Sequence, residues 1–163
     1  MADRTVDNDM QEVPQIDEML ESLMLQVMEE AQTKMEEGKE LVPMTAVVIG
    51  KSVFEETHSG DIDECFASAQ DTVKGMDNAA AYCFCYDGFL ESDQGDIDCI
   101  ICEGGRPGDA AGIALALIYH EGEEGWEFEE EVAFLGDAPN FLEDAEPVEY
   151  VGEEYTEVSE DEE

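Results

Sequence analysis

The sequence predicts an α+β domain, with a mostly antiparallel sheet of about five strands and two helices packed on one face of it. Three observations indicate this class. Two segments carry apolar residues at helical spacing, several others alternate in polarity or form short apolar runs, and the strand-like segments are mostly separated by turn sequences. Short turns join antiparallel neighbours, and helices layered on a sheet bury the apolar side of both.

The first helix is predicted after Pro14, a residue that suits the first helical turn, and it ends before Gly38. Apolar residues recur between them at i, i+3, i+4 and i+7 spacing. They are Ile16, Met19, Leu20, Leu23, Met24, Val27, Met28, Ala31 and Met35. Four of the nine are methionines, whose flexible side chains fit irregular surfaces, so this stripe packs either on the chain's own sheet or on a second copy or a partner.

The second helix is predicted from Asp61-x-x-Glu64, which has the pattern of a capping box. An apolar stripe follows it, and this stripe places Cys65 toward the core. Five strands are predicted, at residues 45–56, 80–90, 96–103, 112–120 and 126–136.

The second and third strands form an antiparallel hairpin around the turn sequence ESDQGD. If Glu91 pairs with Asp96, then Cys85 lies opposite Cys102 and Gly88 lies opposite Cys99. A slip of one residue would move every side chain to the other face.

Four of the five cysteines lie in this hairpin, as a C-x-C (Cys83 and Cys85) and a C-x-x-C (Cys99 and Cys102). Three interpretations are open. They are core thiols, weak candidates for a metal site, or a redox pair. Zinc sites commonly use two C-x-x-C pairs at turns, and a redox pair belongs at a helix N-terminus. Both motifs here lie inside strands, which favours core thiols.

The charge is the most unusual feature of the composition, because 45 Asp and Glu against 6 Lys and Arg give a net charge of −39. Residues 41–142 alone carry 22 acids and three bases. Such a body repels nucleic acid phosphates and anionic membranes, so we expect no direct nucleic acid binding and no membrane binding. A basic protein partner and mimicry of nucleic acid are both compatible with this charge, and so is a merely solvated surface.

Three regions are predicted along the chain: a flexible N-terminal arm at residues 1–13, a single domain at 14–142 and a disordered acidic tail at 143–163. The tail has 11 acids, no bases and no core-forming period. The N-terminus is polar and acidic, and no apolar run is long enough to cross a bilayer. We therefore expect a cytoplasmic protein with reduced cysteines.

Four polar residues stand out near the Gly-rich loop EGGRPGD at residues 103–109. They are Asp87, Glu103, Arg106 and His120. Two carboxylates with a histidine could perform acid–base chemistry, although each residue also suits a structural role. No phosphate-binding, calcium, zinc-protease or serine-hydrolase motif occurs, so no cofactor is predicted.

Two function classes remain open on this sequence. The first is a non-catalytic binding or assembly module that acts as a homo-oligomer, most simply a homodimer. The second is a small-molecule enzyme or ligand binder that uses the four polar residues. A pocket lined by those residues would favour the second class, and a flat apolar surface would favour the first.

Overall fold

The computed structural model describes residues 17–146 and the backbone of residues 156 and 157. Two helices are present in these residues, α1 (Glu18–Glu36) and α2 (Ile62–Lys74). The strands in chain order are β1 (Met44–Ile49), β2 (Ser52–Thr57), β3 (Ala79–Ser92), β4 (Gly95–Gly105), β5 (Gly112–Gly122), β6 (Gly125–Phe128), β7 (Ala133–Ala138) and β8 (Thr156–Glu157).

The strands form one mostly antiparallel sheet. Seven of them lie side by side in the order β6-β5-β4-β3-β1-β2-β8, and β7 pairs with β5 off this path. Every pairing is antiparallel except that of β2 with β8. The α+β class and the antiparallel sheet are confirmed, whereas the number of about five strands is too low.

The count differs because two predicted strands are each divided. Residues 45–56 fold into the β1–β2 hairpin, whose two-residue turn begins with Gly50 at a φ of 62°. Glycine at the first turn position is what a type II′ turn prefers. The strand at 126–136 bends between β6 and β7, both of which pair with β5. A straight strand would place Glu130 in phase with the core-facing Phe128, and the bend leaves Glu130 exposed.

The two helices lie on opposite faces of the sheet, so the prediction that both pack on one face is wrong. Along β3, Cys83 and Cys85 pack in the cluster under α1, whereas Tyr82 and Phe84 pack in the cluster under α2. Successive strand residues point to opposite faces. A strand that is apolar at every position is buried on both sides, and β3 is such a strand from Ala79 to Cys85.

The methionine stripe of α1 packs on the chain's own sheet. Seven of its residues are buried there: Leu20, Leu23, Met24, Val27, Met28, Ala31 and Met35. Asp17 is the N-cap, and its Oδ2 accepts hydrogen bonds from the backbone N–H groups of Met19 and Leu20. The predicted capping box of Asp61 and Glu64 is confirmed at the start of α2, and Cys65 is buried as predicted. Pro14 and Ile16 lie outside the described residues.

On the α2 side, no helix of residues 17–146 packs over part of the sheet. Helix α2 packs over β1 and β3, while β4 and β5 carry a separate small cluster. We call this the aliphatic patch, and it consists of Leu90, Ile97, Cys99, Ile101, Ala116 and Ile118. Leu90, Ile97 and Ile118 remain partly exposed.

The predicted terminal regions fall largely outside the described residues. The arm at 1–13 lies wholly outside them, as do 147–155 and 158–163 of the predicted disordered tail. The described residues of the tail make a few contacts with the domain. Ala145 packs partly buried in the α2 cluster, and its N–H donates to the carbonyl of Leu142. Residues 156 and 157 pair with Ser52 and Val53 of β2.

Candidate functional site

The four polar residues predicted near the Gly-rich loop do not form one site. Asp87 lies opposite Ile100, which packs under α1, and Glu103 lies opposite Phe84, which packs under α2. Residues opposite each other on paired strands share a face, so the two carboxylates point to opposite sides of the sheet. The acid–base pair of the enzyme hypothesis is therefore not assembled.

The side chain of Asp87 is hydrogen-bonded to a tyrosine and not to another of the four predicted residues. The hydroxyl of Tyr119 donates to its Oδ1 at 2.6 Å across β4. Partial burial raises the pKa of the Asp87 carboxyl, and the neighbouring Asp98 raises it further, whereas the hydrogen bond from Tyr119 opposes the rise. Asp87 is an exposed residue, and its carboxylate lies near the negative charge of Asp98.

Glu103 has a carboxylate that is only half satisfied. The hydroxyl of Tyr86 donates to Oε2 at 2.7 Å, while Oε1 is buried and has no hydrogen-bond partner among the described residues. Burial raises the pKa of Glu103, and the single hydrogen bond from Tyr86 only partly offsets this effect. Burying an incompletely bonded carboxylate costs free energy, so this position destabilises the fold when it is charged.

Arg106 serves as a structural link between the loop and α1. Its Nη1 contacts Oδ1 of Asp17 at 2.7 Å, and its Nε lies 3.9 Å from Oδ2 of Asp109. Because the other oxygen of Asp17 caps α1, one carboxylate joins the helix start to the loop. The guanidinium is therefore already paired within the chain.

Asn140 fixes the same loop from the opposite side. Its Nδ2 donates to the carbonyls of Arg106 and Asp109, each at 2.8 Å, and its Oδ1 accepts from the N–H of Leu142. A Cβ on Gly105 would lie 2.5 Å from this Oδ1, so only glycine fits there without movement. Residues 103–109 and 139–142 together make a clasp that closes one end of the sheet.

His120, the fourth predicted residue, is exposed on β5. Its Nε2 lies 3.2 Å from Oε1 of Glu127 on the paired strand β6, and both side chains are 62% exposed. Arg106 lies in the loop that follows β4, whereas His120 lies near the opposite end of the sheet, beside the β5–β6 turn. An ion pair exposed to water contributes little to stability. Among the described residues, His120 forms no hydrogen bond or ion pair with the other three predicted residues.

The predicted hairpin register is confirmed, and it divides the cysteines between the two faces. Cys85 lies opposite Cys102 and Gly88 opposite Cys99. Cys83, Cys85 and Cys102 lie under α1, and Cys99 lies in the aliphatic patch. Among the described residues, no group of three or more His, Cys, Asp or Glu side chains is placed to hold a metal ion.

All five cysteines are free thiols and fully buried. Burial raises the pKa of Cys99 to about 11, and burial together with the neighbouring Cys83 and Cys85 raises that of Cys102. A thiol whose pKa is raised stays protonated at neutral pH, and the protonated form is a poor nucleophile and a poor ligand.

The sequence reasoning missed a buried histidine, His58, which is 4% exposed. Its Nδ1 lies 2.8 Å from Oγ of Ser68 on α2, and its Nε2 lies 3.1 Å from Oγ1 of Thr45 on β1. Burial lowers the pKa of His58, which favours the neutral ring. Because Thr45 and His58 are almost fully buried, this chain of hydrogen bonds ties α2 to the sheet. No periodicity around THSGD indicates that role.

A cleft of 630 Å³ opens between the end of α2 and the turn at 141–146. Its floor is apolar, with Phe141 and Leu142, and its rim carries Lys74 among three acids. The acids are Asp77, Asp144 and Glu146. None of the four residues predicted from the sequence lines it.

No family model matches the sequence, and no curated protein or solved structure is significantly similar to the chain. Within the described part of the chain, neither helix combines the length and apolarity that crossing a membrane requires.

Proposed function

We propose that this protein is a non-catalytic binding or assembly module that acts as a homo-oligomer, with the aliphatic patch as the surface that joins two copies. The observation that carries this proposal is the composition of the patch. Its six residues include no charged side chain, in a chain whose net charge is −39. A second copy can therefore approach this face with less repulsion than any acidic face.

The methionine stripe of α1 was the other predicted source of self-association. Since it is buried in the chain's own core, the sheet face is left as the apolar surface for a second copy. Apolar burial stabilises by about 25 cal/mol per Å², and a specific interface buries at least about 1,200 Å² in total. The interface therefore extends beyond the patch to its neighbours, and salt is needed to screen the repulsion between two acidic bodies.

Separation of the four polar residues removes the geometric basis of the enzyme alternative. Two carboxylates on opposite faces, a paired arginine and a surface histidine cannot converge on one substrate atom. A cytoplasmic location belongs to the same proposal, because five unpaired buried thiols suit a reducing compartment.

Light scattering of the full chain tests the assembly proposal. We expect a dimer at about 0.2 M salt that loosens at about 0.01 M, where the screening length is about 30 Å. Ile118→Glu places a charge in the patch and should give a monomer. Leu25→Glu, at an exposed position on α1, is the matched control and should leave the dimer intact. A wild-type chain that stays monomeric at high salt and high concentration would remove the proposal.

A further inference from the structure

The outer part of the β3–β4 hairpin presents two unlike faces. Side chains alternate along β3, so Leu90 belongs to the aliphatic patch and Phe89 points to the α1 side. Phe89 is 52% exposed and Trp126 is 40% exposed, which makes them two of the most exposed large apolar side chains among the described residues. Single exposed apolar residues are common, whereas apolar residues that share one surface and are rimmed by polar groups mark a site that binds partners.

Strand pairing and two side-chain contacts place these two aromatic residues on one face of the sheet. Phe89 lies opposite Asp98 on β4, and Asp87 lies two residues before Phe89 on the same face of β3. Tyr119 on β5 donates to Asp87, and its ring makes an edge contact with Trp126 at 5.0 Å. Buried Tyr119 is thus a shared neighbour of Asp87 and Trp126. We call this surface the aromatic–acidic face.

Carboxylates surround the rings on this side of the sheet. Strand alternation and pairing place five of them on the same face as Phe89 and Trp126. They are Asp87, Glu91, Asp96, Asp98 and Glu121. These carboxylates are close enough to interact, because burial raises the pKa of Asp87 and the neighbouring Asp98 raises it further.

Residues 75–146, which carry this face, offer it no free Lys or Arg side chain of their own. From residue 75 to the C-terminus the sequence contains one basic residue, Arg106, and it is paired with Asp17 beyond the far end of β4. His120 points to the opposite side of the sheet from Tyr119 and pairs with Glu127. A second copy of the chain is equally acidic, so it would be repelled from this face, in contrast to the uncharged aliphatic patch.

We propose that the aromatic–acidic face is a docking surface for a Lys- or Arg-bearing segment of a basic partner protein. Cationic side chains lie over the faces of Phe89 and Trp126, where the negative ring face attracts them. The five carboxylates speed association and select positively charged segments, while the two rings supply the apolar anchors that hold the complex. This proposal does not rest on self-association, since the two surfaces lie on opposite faces of the sheet.

Trp126 is the only tryptophan of the chain and therefore reports on this surface directly. The probe is a short synthetic peptide of alternating arginine and serine, titrated into the full chain at about 50 mM salt while tryptophan emission is followed. We expect a saturable change in emission, with affinity that falls as salt is raised. No saturable change up to about 1 mM peptide would overturn the proposal, because millimolar affinity is the weakest useful binding.

Matched variants separate docking on this face from general attraction to an acidic protein. Phe89→Ala should weaken peptide binding about fivefold, which corresponds to the loss of one cation–π contact, and Phe89→Leu should do nearly the same while it keeps the bulk. Leu25→Ala, at an exposed apolar position on α1, should have no effect. Equal affinities for the Phe89 and Leu25 variants would contradict the proposal.

A second pair of variants tests the charge. Glu91→Gln removes a carboxylate from the aromatic–acidic face, and Glu29→Gln removes one from the exposed side of α1. The first should weaken peptide binding about threefold and the second hardly at all, because screening limits each charge to its neighbourhood. Equal weakening by both would show attraction to net charge alone and would overturn the proposal. Dimer formation, measured in parallel by light scattering, reports separately on the aliphatic patch.

Discussion

The hydrogen bond between Tyr86 and Glu103 provides the sharpest test of how much a buried carboxylate destabilises this fold. Glu103 is packed on the α2 face of the sheet, with one oxygen bonded to the Tyr86 hydroxyl and the other without a partner. Tyr86→Phe removes the hydroxyl but keeps the ring that contacts Phe66 and Phe84. Glu103→Gln removes the charge and keeps an acceptor for the hydroxyl.

The expected energies follow from what each change leaves buried. Tyr86→Phe leaves a charged carboxylate without any hydrogen bond, which should lower the free energy of unfolding by about 2–3 kcal/mol at pH 7.5. Glu103→Gln should raise it by about 1 kcal/mol, since an amide is cheaper to bury than a carboxylate. When Glu103→Gln is already present, the cost of Tyr86→Phe should fall to about 1 kcal/mol, so the cycle should show a coupling of about 1–2 kcal/mol.

The pH dependence follows from the raised pKa of Glu103. The folded chain keeps the Glu103 proton to higher pH than the unfolded chain, whose value is near 4.5. Between these two pKa values the folded state binds more protons, so stability is lost as pH rises. The advantage of Glu103→Gln over wild type should therefore be small near pH 4 and fully developed above the raised pKa.

Urea unfolding of the four chains of the cycle, at several pH values, measures these quantities. The difference between variant and wild type cancels the titration of the other acids, which all chains share. A Glu103→Gln chain that is less stable than wild type at pH 7.5, with a gap independent of pH, would refute the reasoning. It would mean that the second oxygen has a partner in solution.

Four further predictions concern the cap of α1, the cysteines, the C-terminal segment and the effect of salt. Asp17→Ala should cost about 1–2 kcal/mol because it removes both the cap of α1 and the pair with Arg106, whereas Asp17→Asn keeps the cap and should cost less; equal losses would contradict the role of the cap. The five thiols should react with a thiol reagent only after unfolding, and one equivalent of tightly bound zinc in metal analysis would contradict their role as core thiols. A chain that ends at Glu146 should keep its melting temperature within a few degrees, because β8 adds only two paired residues; a large drop would show that the tail docks firmly. The free energy of unfolding should rise between about 0.01 M and 0.1 M salt as the screening length falls from about 30 Å to about 10 Å, and a flat response would contradict the importance of self-repulsion.

Local signals predicted the local structure well. The capping box of α2 and the register of the β3–β4 hairpin both follow from short stretches, Asp61 to Glu64 and the turn between Glu91 and Asp96. The hairpin at Gly50 was missed, since alternating apolar residues on both sides of a glycine resemble one continuous strand. The sequence could not predict on which face of the sheet each helix packs, because β3 is apolar on both sides and its pattern fits either arrangement.

The candidate site illustrates a different limit. Asp87, Glu103, Arg106 and His120 were grouped because they are polar residues that stand out against apolar strands near the Gly-rich loop, which is a statement about sequence order. In the predicted register, Asp87 lies opposite Ile100. Glu103 lies opposite Phe84, which is three positions before Asp87 on β3. An odd separation along a strand means opposite faces, so the register already argued against the pair. For His58 no sequence signal existed, because its partners come from a strand and a helix.

The ion pair that links the loop at 103–109 to α1 has a consequence for the order in which the chain folds. Arg106 and Asp17 are 89 positions apart, whereas the two strands of the β3–β4 hairpin meet across a turn of two residues. Closing a long segment costs more entropy than closing a short one, and hairpins form within microseconds. We therefore expect the hairpin to form early and α1, although it is synthesised first, to dock late. Before Arg106 has been synthesised, the methionine-rich side of α1 is exposed to solvent on the nascent chain. A chaperone or a neighbouring nascent chain can then bind it.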